Sequence, residues 1–185
     1  MPTVDNTISP QSKMTAVLAA YPGAQRALFK RYHIGGCASC AFSPDETLEQ
    51  LCQRNENLPV VEVLTTIQSA HEQDERTHIS PRELADTLKQ DPATKLLDIR
   101  TREEHDAVKI PGSVRMAQDT MQEILTQWPR ESLVVIYDHA GKAALDAAAY
   151  FTGQGFKQVR CLRGGIDAWA EEVDKEMPRY RMEAA

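Results

Sequence analysis

Four short apolar runs in the second half of the chain, spaced by stretches of helical periodicity, limit the possible folds more than any other feature. The runs are Leu96-Leu-Asp-Ile, Ser113-Val-Arg-Met, Leu133-Val-Val-Ile-Tyr and Val159-Arg-Cys-Leu, each the length of a strand. Between them lie helical patterns over 102–108, 118–128 and 142–152, the last closed by Gly153, and a final helix is expected over 166–173. This alternation predicts an α/β fold: a mostly parallel sheet with helices on both faces.

The first part of the chain shows helical spacing instead. Residues 14–20 read as a short helix ending before Pro22, and 24–32 as a second that stops at Gly35-Gly36. Ser43-Pro-Asp-Glu reads as a helix start, with a Ser cap, Pro in the first turn and Glu three residues on. Leu48, Leu51 and Cys52 then share a face, and a last helix is expected after Pro59, although its Val and Thr content leaves a strand open. The polar stretch Ala70-His-Glu-Gln-Asp-Glu-Arg-Thr-His has no large apolar residue and reads as a linker. The expected layout is a small all-α domain over 1–70, a linker over 71–78 and an α/β domain over 79–185.

Net charge is -6, shared evenly: six Lys and Arg against nine Asp and Glu in 1–76, and fifteen against eighteen in 77–185. With no basic cluster, a dedicated nucleic-acid binder is excluded. No apolar run approaches the roughly 18 residues needed to cross a membrane. Residues 1–13 lack the basic start and apolar stretch of a signal peptide, so a cytoplasmic protein is expected. Of the four cysteines, Cys37, Cys40, Cys52 and Cys161, the Cys37-x-x-Cys40 pair in a reducing compartment points to redox, metal or sulfur chemistry rather than to a disulfide staple.

Residues 79–173 resemble a rhodanese-type sulfurtransferase domain. Leu97-Asp98-Ile99-Arg100 with Glu103-Glu104 is similar to the family's first signature, Ile110-Pro111-Gly112-Ser113 to its second, and Arg163-Gly164-Gly165-Ile166 with Ala168-Trp169 to its closing one. Val108 and Lys109 depart from the usual Gly-His. The resemblance implies that Asp98 and Arg100 anchor the fold and that the loop after Tyr137 is the active loop. Active members open that loop with a persulfide-carrying Cys and hold an Arg five residues further on. Here it reads Asp138-His139-Ala140-Gly141-Lys142-Ala143, so Asp138 stands at the nucleophile position and Ala143 at the Arg position.

Sulfane-sulfur transfer needs a thiolate that attacks sulfur and keeps it as a persulfide. A carboxylate oxygen has no comparable intermediate. What remains is a nest of backbone N–H groups at a helix N-terminus, which favours negative charge. Asp138 is placed to put its own carboxylate there. No Asp-x-Asp motif follows to suggest aspartyl phosphoryl transfer, and His139 and Lys142 read either as anion-binding groups or as solvated loop residues. An active thiosulfate sulfurtransferase is therefore not expected. Cys161, mid-strand in a buried run, reads as core.

Residues 13–67 resemble a second family, the small double-cysteine helical domain associated with hybrid-cluster and iron–sulfur repair proteins. The match runs through Tyr21-Pro22, Leu28 to Tyr32, His33-Ile34-Gly35-Gly36-Cys37-Ala38-Ser39-Cys40 and Thr47-Leu48-Glu49-Gln50-Leu51-Cys52. A thiol pair just before a helix start favours a thiolate. Cys37 and Cys40 can cycle to a disulfide, accept sulfane sulfur, or ligate Zn or an iron–sulfur cluster. A closed site needs four ligands. Cys52 or His33 would supply a third, and a homodimer the rest. The leading expectation is a non-catalytic rhodanese-like accessory protein in sulfur handling, thiol redox or iron–sulfur metabolism, with a sulfur-handling or iron–sulfur assembly protein as partner. The alternatives are a sulfurtransferase or thiol oxidoreductase using Cys37 or Cys40, and a metal or cluster carrier formed by dimerisation.

Overall fold

The computed structural model describes residues 8–35, 42–43 and 45–179. The chain divides into two compact units between Arg76 and Thr77. No helix among the described residues is long and apolar enough to cross a membrane.

The first unit is helical: α1 (Met14–Ala20), α2 (Ala24–Tyr32), α3 (Leu48–Arg54) and α4 (Val60–Thr77). One side chain or more from each helix meets in a common core, including Met14, Val17, Leu28, Leu48, Leu51, Val63 and Ile67. Two expectations are corrected here. The helix expected from Ser43 starts at Leu48, with Thr47 as its cap in a reciprocal capping box with Gln50. Ser43 opens only one turn, its carbonyl accepting from Glu46 N–H at 3.1 Å. The chain then pairs with Lys13 and Met14, through the Thr47–Lys13 antiparallel bridge and Met14 N–H donating to the Glu46 carbonyl, before α3 begins. The expected linker is also absent. Residues 71–77 continue α4, and His78 opens a strand. The stretch is polar but contains no Gly or Pro. It is held to α2 by the Arg26–Asp74 ion pair, and Tyr21 packs edge-on to His71 with ring centroids 4.9 Å apart.

The second unit is the expected α/β fold. Its strands are β1 (His78–Ile79), β2 (Lys95–Asp98), β3 (Val114–Arg115), β4 (Leu133–Tyr137) and β5 (Gln158–Leu162). They form a five-stranded sheet in the order β1-β5-β4-β2-β3, with every pairing parallel. The helices are α5 (Pro81–Gln90), α6 (Arg102–Ala107), α7 (Gln118–Gln127), α8 (Ala144–Gly153) and α9 (Gly165–Glu172).

Alternation along the central strand β4 shows how both faces are covered. Val135 and Tyr137 join Leu84 of α5 and Ile166 and Trp169 of α9 in one core. Val134 and Ile136 join Ile124 of α7 and Phe151 of α8 in the other. Two elements were missed in the sequence, the short strand β1 and α5. For α5 the sequence did carry a start, Ser80-Pro81-Arg82-Glu83, where Ser80 caps the helix, Pro81 occupies the first turn and Glu83 closes the box.

Candidate functional site

From β2 the chain crosses outward to β3, and from β4 it crosses the opposite way to β5. The carboxyl ends of β2 and β4 therefore flank the point where the strand order reverses, the usual place for a site in a parallel sheet. Asp98 ends β2, and Asp138 directly follows β4.

The loop after β4 turns Asp138 inward. Its side chain accepts hydrogen bonds from the backbone N–H groups of Gly141 and Ala143, and from that of Ala144 at 3.3 Å. Only 9% of the residue is exposed. The N–H groups at the start of α8 that could hold an external anion are thus engaged by the chain's own carboxylate, as the sequence suggested. His139 is half-buried, while Ala140, Lys142 and Ala143 are exposed.

The loop is clamped from below by the turn before α9. Asp138 and His139 carbonyls accept from Ile166 N–H at 2.9 Å and Asp167 N–H at 3.2 Å, which satisfies donors of the first turn of α9. Gly165, at φ +60°, has no space for a side chain: a Cβ there would lie 2.5 Å from the Asp138 carbonyl oxygen. Gly165→Ala is expected to cost roughly 3 kcal/mol through left-handed strain and this backbone clash. A thermal melt followed by tryptophan fluorescence checks this, and an unchanged midpoint would contradict the clamp.

Asp98 organises a second, buried cluster. It is fully buried and takes the Arg100 guanidinium in a fork, Nε to Oδ1 at 2.9 Å and Nη2 to Oδ2 at 2.6 Å. Arg100 N–H also donates to Oδ1, and Nη2 reaches the Val108 carbonyl at 2.8 Å. Burial alone would raise the Asp98 carboxyl, but hydrogen bonds from the Arg100 side chain and backbone and from His105 outweigh it. The group is held below the usual carboxylate range.

Two partners in this cluster were not read from the sequence. His105 Nδ1 lies 2.9 Å from Asp98 Oδ2. Tyr137 donates to Ser113 Oγ at 2.8 Å and accepts from Ile110 N–H at 3.3 Å, and burial pushes its phenol well above its ordinary range. The Ile110-to-Ser113 turn is thereby tied to β4. Asp98 and Arg100 sit as the structural anchors the resemblance implied.

In the helical unit, Cys37 and Cys40 lie outside the described residues. Cys52 sits in the core with Leu48 and Leu51, and burial, then the nearby Glu49 charge, pushes its thiol pKa up. That is the opposite of an activated thiolate. His33, in a left-handed conformation, ends α2 and lies edge-on to Phe29. Among the described residues no group of three or more His, Cys, Asp or Glu side chains is placed to hold a metal ion. The helix invoked to activate Cys37 and Cys40 begins at Leu48, so that argument loses the nearby N-terminus at Ser43. Cys161 is fully buried in β5, as expected for a core residue.

A parallel sheet with these signature turns, and a backbone cradle between β4 and α8, defines a rhodanese-like unit. The chain belongs to the rhodanese-like family, whose domain model matches residues 80–172. It is 25% identical over 174 residues to the adenylyltransferase and sulfurtransferase UBA4 of Candida albicans, a match covering 89% of this chain but 39% of that protein. It is 37% identical over 75 residues to a sulfurtransferase of Allochromatium vinosum, covering 40% of this chain and 70% of the relative. Thiosulfate sulfurtransferase GlpE of Pseudomonas syringae is 28% identical over 96 residues, covering 52% and 90%. Among solved structures, the human single-domain sulfurtransferase TSTD1 is similar at 24% identity and a TM-score of 0.46, over 52% of this chain and 96% of that one. The chain thus spans well under half the length of its UBA4 relative.

Proposed function

We propose that this protein is a non-catalytic rhodanese-like accessory factor in sulfur handling, with its thiol chemistry at Cys37 and Cys40. The observation that carries the first half is the Asp138 carboxylate seated on the loop's own N–H groups. A persulfide has no sulfur to form on at that position, and a thiosulfate ion approaching the loop meets a negative charge where it needs donors. The position-143 side chain is a methyl group, so no cation replaces what the carboxylate has taken. The sulfurtransferase names of the relatives support the sulfur-handling setting. The second half rests on the Cys37-x-x-Cys40 spacing, whose products under this reading are a disulfide or a persulfide. Zn or iron–sulfur ligation in a homodimer is the alternative for the same pair. A sulfur-handling or iron–sulfur assembly protein is the partner this reading implies.

A thiosulfate:cyanide sulfurtransferase assay tests the proposal. Negligible turnover is expected from the intact chain. Turnover at the level of an active rhodanese that survives in Cys37→Ser/Cys40→Ser would overturn it. Turnover abolished by that double substitution would instead assign a sulfurtransferase activity to the cysteine pair. A visible absorption band in anaerobically purified protein would favour the cluster carrier.

A further inference from the structure

The second unit has another concavity, remote in sequence from the Asp138 loop and not used in the proposal above. Its volume is about 460 Å³, within the range of small-molecule sites and far beyond an ordinary packing void. Four separate parts of the fold build it: the last turns of α5, the start of β2, the turn at Ile110–Gly112 and the C-terminal half of α9. Leu88, Leu96, Ile110 and Trp169 supply the apolar wall. Pro92 and Pro111 stand in the two lining turns, and their locked φ angles favour a preformed pocket.

Among the lining residues Lys89 is charged and no carboxylate is present. Lys89 does contact Asp86 at 3.2 Å, but both side chains are largely exposed, so the pair is weak and the ammonium can turn toward a ligand.

We propose that this pocket binds a small amphipathic anion, an aliphatic or aromatic body on the apolar wall with a carboxylate at Lys89. Charge complementarity selects the anion, and the wall selects the body. Neither depends on the state of the Asp138 loop.

Trp169 makes the binding measurable. It is buried in the wall, its Nε1 has no hydrogen-bond acceptor among the described residues, and the chain's other tryptophan is Trp128. In a Trp128→Phe background, titration with decanoate should give a saturable change in emission with a Kd below about 1 mM. Lys89→Glu, at an exposed position, should weaken decanoate at least about fivefold and favour decylamine instead. Ala85→Phe, which fills the pocket from α5, should abolish the response while leaving the far-UV circular dichroism unchanged. No saturable response to decanoate would overturn the proposal. So would equal affinity for decanoate and decanol, or a Lys89→Glu variant with unaltered preference. The last two would mean that the apolar wall alone takes up whatever is greasy. If Ala85→Phe does not fold, the Lys89→Glu comparison still decides.

Discussion

Asp138→Cys combined with Ala143→Arg should yield a protein that takes a sulfane sulfur from thiosulfate at position 138. The new thiol would sit where the carboxylate now sits, against the N–H groups of Gly141, Ala143 and Ala144. Those donors and the start of α8 stabilise a thiolate, so its pKa should fall below the free value of roughly 8.5. The thiolate attacks the outer sulfur of thiosulfate. An S–S bond forms to the introduced sulfur, the bond between the two thiosulfate sulfurs breaks, and sulfite leaves with the electron pair. The products are a persulfide anion and sulfite, and no outside oxidant is needed.

Arginine at 143 supplies the cation that draws the dianion in. Ala143 is exposed, so the longer side chain has room. The single Asp138→Cys variant should react more weakly than the double variant, and the parent chain should gain nothing at 138. Intact-mass measurement after thiosulfate exposure reads the result, in a background with Cys37 and Cys40 replaced by Ser. A well-folded double variant that gains no sulfur at 138 would show that the loop differs from an active one by more than these two side chains. The inactive-rhodanese reading of Asp138 would then lose its basis.

The central strands β2 and β4 were legible because their apolar runs are short, separated and buried on both faces, as in Leu133–Tyr137. The loop after β4 was legible through its resemblance to the rhodanese active loop rather than through any local pattern, and Gly141, at φ +79°, marks its one backbone turn that glycine adopts most easily. What escaped was set by contacts distant in sequence. Ser43 and Thr47 both offer a cap, and the bridge from Lys13 to Thr47 favours the second. The polar run 71–77 reads as a linker by composition, yet Asp74 and His71 find partners on α2 and its preceding turn. His105 has the look of a surface residue on a short charged helix. Its burial against Asp98 follows from the approach of α6 to the end of β2, which no local pattern records.

The buried Asp98 cluster makes the largest stability prediction. Asp98→Ala would leave the Arg100 guanidinium, whose side chain is 2% exposed, without its counter-charge. Breaking such a pair typically costs about 3–5 kcal/mol, a large part of a domain's total stability. Replacing both partners, as in Asp98→Leu/Arg100→Met, removes the charge along with its partner and should cost less than Asp98→Ala alone. Denaturant unfolding followed by tryptophan emission measures this in the right place, because Trp128 and Trp169 both belong to the second unit. The same carboxylate gives a pH dependence of defined sign. Its pKa is lower in the folded state than in the unfolded chain, so the unfolded state binds the proton more readily. The stabilisation is complete above the unfolded value of roughly 3.9 and is lost as pH falls through the lower folded value. Asp98→Asn lacks this component, so the stability difference between the parent chain and the variant should be constant from neutral pH to about 5 and shrink below about 4. A difference that stays constant into that acid range, or an Asp98→Leu/Arg100→Met chain less stable than Asp98→Ala, would mean that the fork from Arg100 is not what holds this end of the sheet together.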